Sequence, residues 1–171
     1  MNMIFKSLLF TFAFAALTVS VQAQKFGFIN SQELISQLPE VKEANSKIET
    51  LKKQLQKKGE EMITGLRAKY ADVQKRQTDG LLSPKEAQAE GAVLQQEEQA
   101  LGQFEQTSQQ KIYEKSEELL SPIQAKINNA IKEVAADNGY TYIFDSSLGL
   151  VLYADPGTDV SALVKTKLGL Q

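Results

Sequence analysis

Asp79-Gly80-Leu81-Leu82-Ser83-Pro84 is the only short segment that reads as a turn in the stretch from Pro39 to Asn138. The flanks on both sides are rich in Glu, Gln, Lys and Ala and hold no long apolar run. Asp-Gly is a turn dipeptide. Ser83-Pro84-Lys85-Glu86 then reads as a helix start, with Ser at the cap, Pro at the first position and Glu at the third. Two long helices joined by one reversal account for the whole stretch. The result is an antiparallel arm, too thin and too polar to be the core of a globular enzyme.

Working outward, apolar or small residues recur on the outgoing helix at Val41, Ala44, Ile48, Leu51 and Leu55. Steps of three and four make a heptad seam. Beyond Leu55 the seam passes to Gly59, Met62, Leu66, Tyr70 and Val73 with an eleven-residue spacing, which favours straighter winding. The return helix carries Ala87, Gly91, Leu94, Leu101, Phe104, Ile112, Leu119, Ile123, Ile127, Ile131 and Val134. Pro39 suits the first position of a helix. Pro122, inside the return helix, is expected to kink or break it. The seam is narrow, so it serves one partner helix and cannot build a bundle.

A tip centred near Gly80 and Leu81 sets facing residues whose numbers sum to about 161. Pro39 then lies opposite Pro122, Gly59 opposite Gly102, and Tyr70 opposite Gly91. Charge supports the pairing. Residues 40–79 carry a net +3 and residues 83–138 a net −5. A glycine inside a helix costs about 1 kcal/mol relative to alanine, so the glycines at mid-arm read either as a site of close helix packing or as a bending point. The two prolines read as the arm root.

The ends read differently. Lys25-Phe26-Gly27-Phe28-Ile29-Asn30 is a short strand. Ser31 is placed to cap a helical turn through Leu38. After Asp137-Asn138-Gly139, a helix stop, Tyr140–Asp145 and Leu150–Ala154 predict a β-hairpin about Ser146–Gly149. Asp159 is placed to cap a last short helix through Leu168.

The chain of 171 residues has no Cys and no His. Cysteine nucleophiles, Cys/His zinc sites and histidine acid–base catalysis are excluded. No metal or cofactor motif is found, and no phosphate-cradling loop or nucleophile elbow. Glu97 with Glu98 and Glu117 with Glu118 are neighbours on a solvated helix, which is no acid–base pair. Residues 1–23 read as a cleavable secretory signal: Lys6, then the apolar run Leu8–Val21, then Val21-Gln22-Ala23. The run is shorter than the roughly twenty residues a spanning helix needs. The expectation is a soluble, exported, mildly acidic protein that does not bind nucleic acid.

Residues 24–38 and 139–171 form a body interrupted by the arm. Three short strands without disulfide or metal cannot bury both faces, so oligomerisation is the stabiliser left. Phe26, Phe28, Ile29, Tyr142, Phe144, Val151 and Tyr153 are the residues expected to meet in that assembly. The fold class is α+β: a long antiparallel helical-hairpin arm projecting from a small β-barrel body completed by association of copies.

The strand Lys25-Phe26-Gly27-Phe28-Ile29-Asn30, the long Gln/Lys/Glu hairpin, the strand Tyr140-Thr141-Tyr142-Ile143-Phe144-Asp145 and the tail Asp159-Val160-Ser161, in that order after a signal, resemble the Skp/OmpH family of periplasmic chaperones. The resemblance covers the whole mature chain. It implies a homotrimer with three arms around a cavity that holds unfolded outer-membrane β-barrel proteins without ATP. The best-known members are strongly basic, whereas this chain has a pI near 5.3. Binding of lipopolysaccharide or anionic membrane is therefore not carried over. Met62, Ile63, Leu66, Tyr70, Phe104 and Tyr113 are the candidate client contacts, and Lys75, Arg76 and Lys85 form a basic cluster at the tip. The competing reading is a structural or adaptor coiled coil of the cell envelope.

Overall fold

The structure, a computed structural model, describes residues 24–170. The expected signal, residues 1–23, lies outside the described residues. The chain runs β1 (Phe26–Ile29), α1 (Ser31–Gln37), α2 (Pro39–Thr78), α3 (Pro84–Asn138), β2 (Tyr142–Asp145) and α4 (Ser161–Lys167). Single 3-10 turns stand at Ser146–Leu148 and Pro156–Thr158. β1 and β2 pair in parallel, in register from Phe26 with Tyr142 to Ile29 with Asp145. Parallel neighbours need a crossover connection, and here the whole arm is that crossover.

The expected hairpin does not form. Asp145 accepts the Ser147 N–H at 2.9 Å, which starts a 3-10 turn that Gly149 ends at φ +70°. β2 gives its ladder to β1, and Leu150–Ala154 joins no strand. Alternation identified the strands but not their partners. Alternation does decide the faces. Gly27, Ile29, Ile143 and Asp145 are on one side of the sheet, Phe26, Phe28, Tyr142 and Phe144 on the other.

The cap of α1 is Asn30, one residue earlier than expected; its side chain accepts the Glu33 N–H at 3.0 Å. The start of α3 matches its sequence pattern, with Ser83 and Glu86 forming a reciprocal capping box. Gly139 closes that helix at φ +69°. Pro122 does not break α3, which is continuous over all its 55 residues. An interior proline costs about 3 kcal/mol. Ile127 is 1% exposed and Ile123 packs against the same core. Fully burying a side chain such as Ile127 contributes about 1.5–3 kcal/mol, and partly buried Ile123 adds to it, which holds the helix together through Pro122.

The buried core lies where the two ends of the chain meet the arm root. It joins Ile29 of β1, Leu34 of α1, Val41 of α2, Ile127 and Val134 of α3, and Val164 of α4. The short body thus borrows the first turns of the arm to bury its apolar side chains. Ile29, grouped above with the assembly residues, is 2% exposed and belongs to this internal core.

Candidate functional site

The arm changes character along its length. At the root, Val41, Ala44 and Ile48 are buried against α3. Near the tip, polar pairs cross between the helices. The Tyr70 hydroxyl donates to Glu98 at 2.9 Å, Lys69 pairs with Glu97, and Arg76 Nη1 donates to Glu90 at 2.8 Å. Back at the root, Lys126 pairs with Glu40 at 2.6 Å. The numbers of the three ion pairs each sum to 166, five more than the tip symmetry implies.

The offset has a geometric cause. Side chains on a helix lean toward its N-terminus. In an antiparallel pair, α2 side chains lean to the root and α3 side chains lean to the tip. Long partners therefore meet at positions shifted on both helices. Gly59, with no side chain to lean, has Phe104 nearest to its Cβ position at 3.5 Å, a sum of 163 and only part of the shift. For the same reason Tyr70 does not pack on Gly91. Its hydroxyl goes to Glu98, and a Cβ built on Gly91 would meet nothing within 4 Å.

At mid-arm the seam opens into a crevice of about 850 Å³. Gly59 and Gly102 both line it, together with Ile63 and Phe104. Lys58 Nζ stands 5.4 Å from the centre of the Phe104 ring. Ser108 also lines the crevice, and its hydroxyl is buried without a hydrogen-bond partner among the described residues. Sequence reasoning passed over Ser108 because it followed apolar residues only. Steps of four from Phe104 to Ile112 mark it as a seam position.

In the body, Phe26, Tyr142 and Phe144 form an aromatic cluster with ring centres 5.9 to 6.2 Å apart. All three are about half exposed on the outer face of the sheet. Leu152 is 97% and Tyr153 86% exposed in the unpaired segment that follows, while Val151 is half-buried. On the inner face, Asp145 accepts from Ser31 Oγ at 2.5 Å, from Ser31 N–H at 3.2 Å and from Ser147 N–H at 2.9 Å. Burial pushes the Asp145 carboxyl up, but the hydrogen bonds from Ser31 and Ser147 outweigh burial and hold it below its ordinary value.

The model of the OmpH-like outer membrane protein family matches residues 25–168. This protein belongs to the OmpH family. The chaperone protein Skp of Yersinia enterocolitica is 32% identical over 156 residues, covering 86% of this chain and 87% of that one. The crystal structure of an OmpH-like outer membrane chaperone from Caulobacter crescentus superposes with a TM-score of 0.72 at 17% identity. It covers 85% of this chain and 84% of its own, and that likeness speaks for the fold.

Within this OmpH-family chain the six candidate contacts do not form one patch. Ile63 and Phe104 line the mid-arm crevice. Met62 and Leu66 line a separate groove of about 260 Å³ nearer the tip. Tyr70 is 42% exposed and tied to Glu98, and Tyr113 is 62% exposed. The basic tip cluster is also thinner than its sequence suggests. Arg76 is neutralised by Glu90 and Asp72, which leaves Lys75 and Lys85 without an ion-pair partner among the described residues. Pro39 and Pro122 are both exposed. Among the described residues no helix is long and apolar enough to cross a membrane.

Proposed function

We propose that this OmpH-family protein is an ATP-independent periplasmic holdase. It binds unfolded outer-membrane β-barrel proteins in a cavity between helical arms and keeps them from aggregating. It acts by binding, with no catalytic step. The observation that carries this reading is the partly buried state of Met62, Ile63, Leu66 and Phe104 along a polar arm, each keeping some apolar surface in contact with solvent. A surface of that kind offers weak apolar contacts in many registers, which suits an unfolded partner. The names of the relatives point the same way. A rigid envelope spacer would want an unbroken seam, and the opening at Gly59 and Gly102 argues against one.

The cavity needs several arms, so the body must bring copies together. The exposed cluster of Phe26, Tyr142 and Phe144, with the unpaired Leu150–Ala154 segment, is the surface we assign to that contact. Association of three copies would bury those rings and complete a shared barrel, with residues 24–38 and 139–171 as its body and 39–138 as each arm. Residues 1–23 would direct export and be removed. The deciding experiment dilutes a urea-unfolded outer-membrane β-barrel protein into buffer without nucleotide. Suppressed light scattering at stoichiometric protein is expected. Scattering equal to that of the client alone would refute the reading. Sedimentation should give a trimer, and Phe144→Asp should shift it to smaller species.

A further inference from the structure

The mid-arm crevice is a built feature and not a loose end of the seam. Leu55, Gly59 and Ile63 line it from α2, and Phe104, Ser108 and Ile112 line it from α3. Its volume of about 850 Å³ falls in the range of roughly 300–1,000 Å³ typical of ligand cavities. Ser108 is 7% exposed, and its hydroxyl finds no partner among the described residues. A buried polar group left unpaired is unfavourable, so a change of rotamer that turns this hydroxyl toward a group from outside the arm would relieve it.

Resting on the holdase reading above, we infer that this crevice is a subsite for one large apolar side chain, aromatic above all, of an extended unfolded polypeptide whose own main-chain amide group pairs with the Ser108 hydroxyl. Three features select that occupant. Thirteen residues line the crevice, against about 20–30 a side for a stable protein interface, so it cannot hold a folded partner or a second copy by itself. The mouth sets Lys52 against Glu60 and Glu105, which gives no preference for a charged headgroup. The Phe104 ring forms one wall, and a second ring can pack edge-to-face or offset against it. Membrane β-strands alternate apolar and polar residues and carry aromatic girdles. A pocket for a single side chain, beside a polar rim, fits such a segment in many registers.

The test places a benzoylphenylalanine photocrosslinker at Gln109, on the crevice lining, and as a control at Gln110, outside it. The probe is a urea-unfolded outer-membrane β-barrel protein diluted onto the full chain. Adduct yield at Gln109 should exceed that at Gln110 by about fivefold or more. Gly102→Leu projects a side chain into open space at the crevice and suits a helix, so it should leave helicity intact. It should cut the Gln109 adduct by about tenfold. Ser108→Ala should cut it less while raising the melting temperature. Equal yields at the two positions, an adduct indifferent to Gly102→Leu, adducts only between copies, or occupancy by a fatty acyl probe alone would each overturn the inference. Suppressed aggregation together with any of these sinks the subsite and spares the holdase reading. Unsuppressed aggregation by the unmodified chain sinks the holdase reading itself.

Discussion

Arg76 on the outgoing helix forks onto Glu90 on the return helix, both of its amino groups reaching the carboxylate, while its Nε holds Asp72 at 2.8 Å. The hydrogen bond that it donates to Glu90 is the leading reason that the guanidinium is held above its ordinary pKa. A planar fork on a carboxylate fixes geometry as well as charge. The pair ties the two helices just below the tip, beside the seam residues Val73, half-buried, and Leu94, buried. Arg76→Glu should therefore speed amide exchange in residues 70–95 and leave the body protected. The swap Arg76→Glu with Glu90→Arg should recover part of that protection. Both effects should shrink at high salt, since the Debye length falls from about 10 Å at 0.1 M to about 3 Å at 1 M.

Glycines at two places respond in opposite ways to the same substitution. A Cβ on Gly27 would sit 2.9 Å from Val160 Cγ1 and 3.1 Å from a Tyr140 ring atom. Val160 is fully buried and cannot give way. Gly27→Ala should destabilise the protein by about 1–3 kcal/mol through overpacking. A Cβ on Gly91 meets nothing within 4 Å. Gly91→Ala should stabilise the arm by about 1 kcal/mol from helix propensity alone. Urea unfolding of the two variants checks both signs.

The arm was legible because its signals are local. The capping box at Ser83 and Glu86, the proline at 39 and the glycine at 139 each act within one turn, and each appears where the residues put it. The body was less legible because its pairings are not local. Nothing near Tyr142 says that its partner is Phe26, 116 positions away, in place of the nearer Leu150–Ala154. The consequence of Pro122 also depended on distant packing, through Ile123 and Ile127. The crevice was half legible. Gly59 and Gly102 were placed at one height by counting from the tip, but the lean of side chains moved every longer contact. Ser108 was invisible to a search for apolar residues.

Asp145 should make stability depend on pH. Its folded pKa lies below the ordinary value of about 3.9 for an unfolded chain, so the unfolded state binds the proton first. The stabilisation is then fully present above that ordinary value. It is lost as pH falls through the lower, folded pKa. Asp145→Asn removes the charge-assisted bonds from Ser31 and should cost about 1–2 kcal/mol at neutral pH. The gap in urea midpoint between the native chain and the variant should narrow as pH falls below the ordinary carboxyl value of about 3.9. A gap that stays constant to the lowest pH would show that the carboxylate charge is not what ties Ser31 to the end of β2.

Gly59 and Gly102 carry a prediction about motion. Both lie in helix interiors, where each costs about 1 kcal/mol relative to alanine. Neither is required by a positive φ. A Cβ on Gly59 would make ordinary contact with Phe104 at 3.5 Å, and one on Gly102 would meet nothing within 4 Å. Close packing is therefore not what keeps them. They would instead soften both helices beside a stretch where the seam is open. Bending there would let arms splay around clients of different size. Replacing both by alanine should raise thermal stability and narrow the distribution of distances between spin labels placed at Leu81 on sister arms. A stabilised arm with an unchanged distribution would mean that the opening at mid-arm does not act as a hinge.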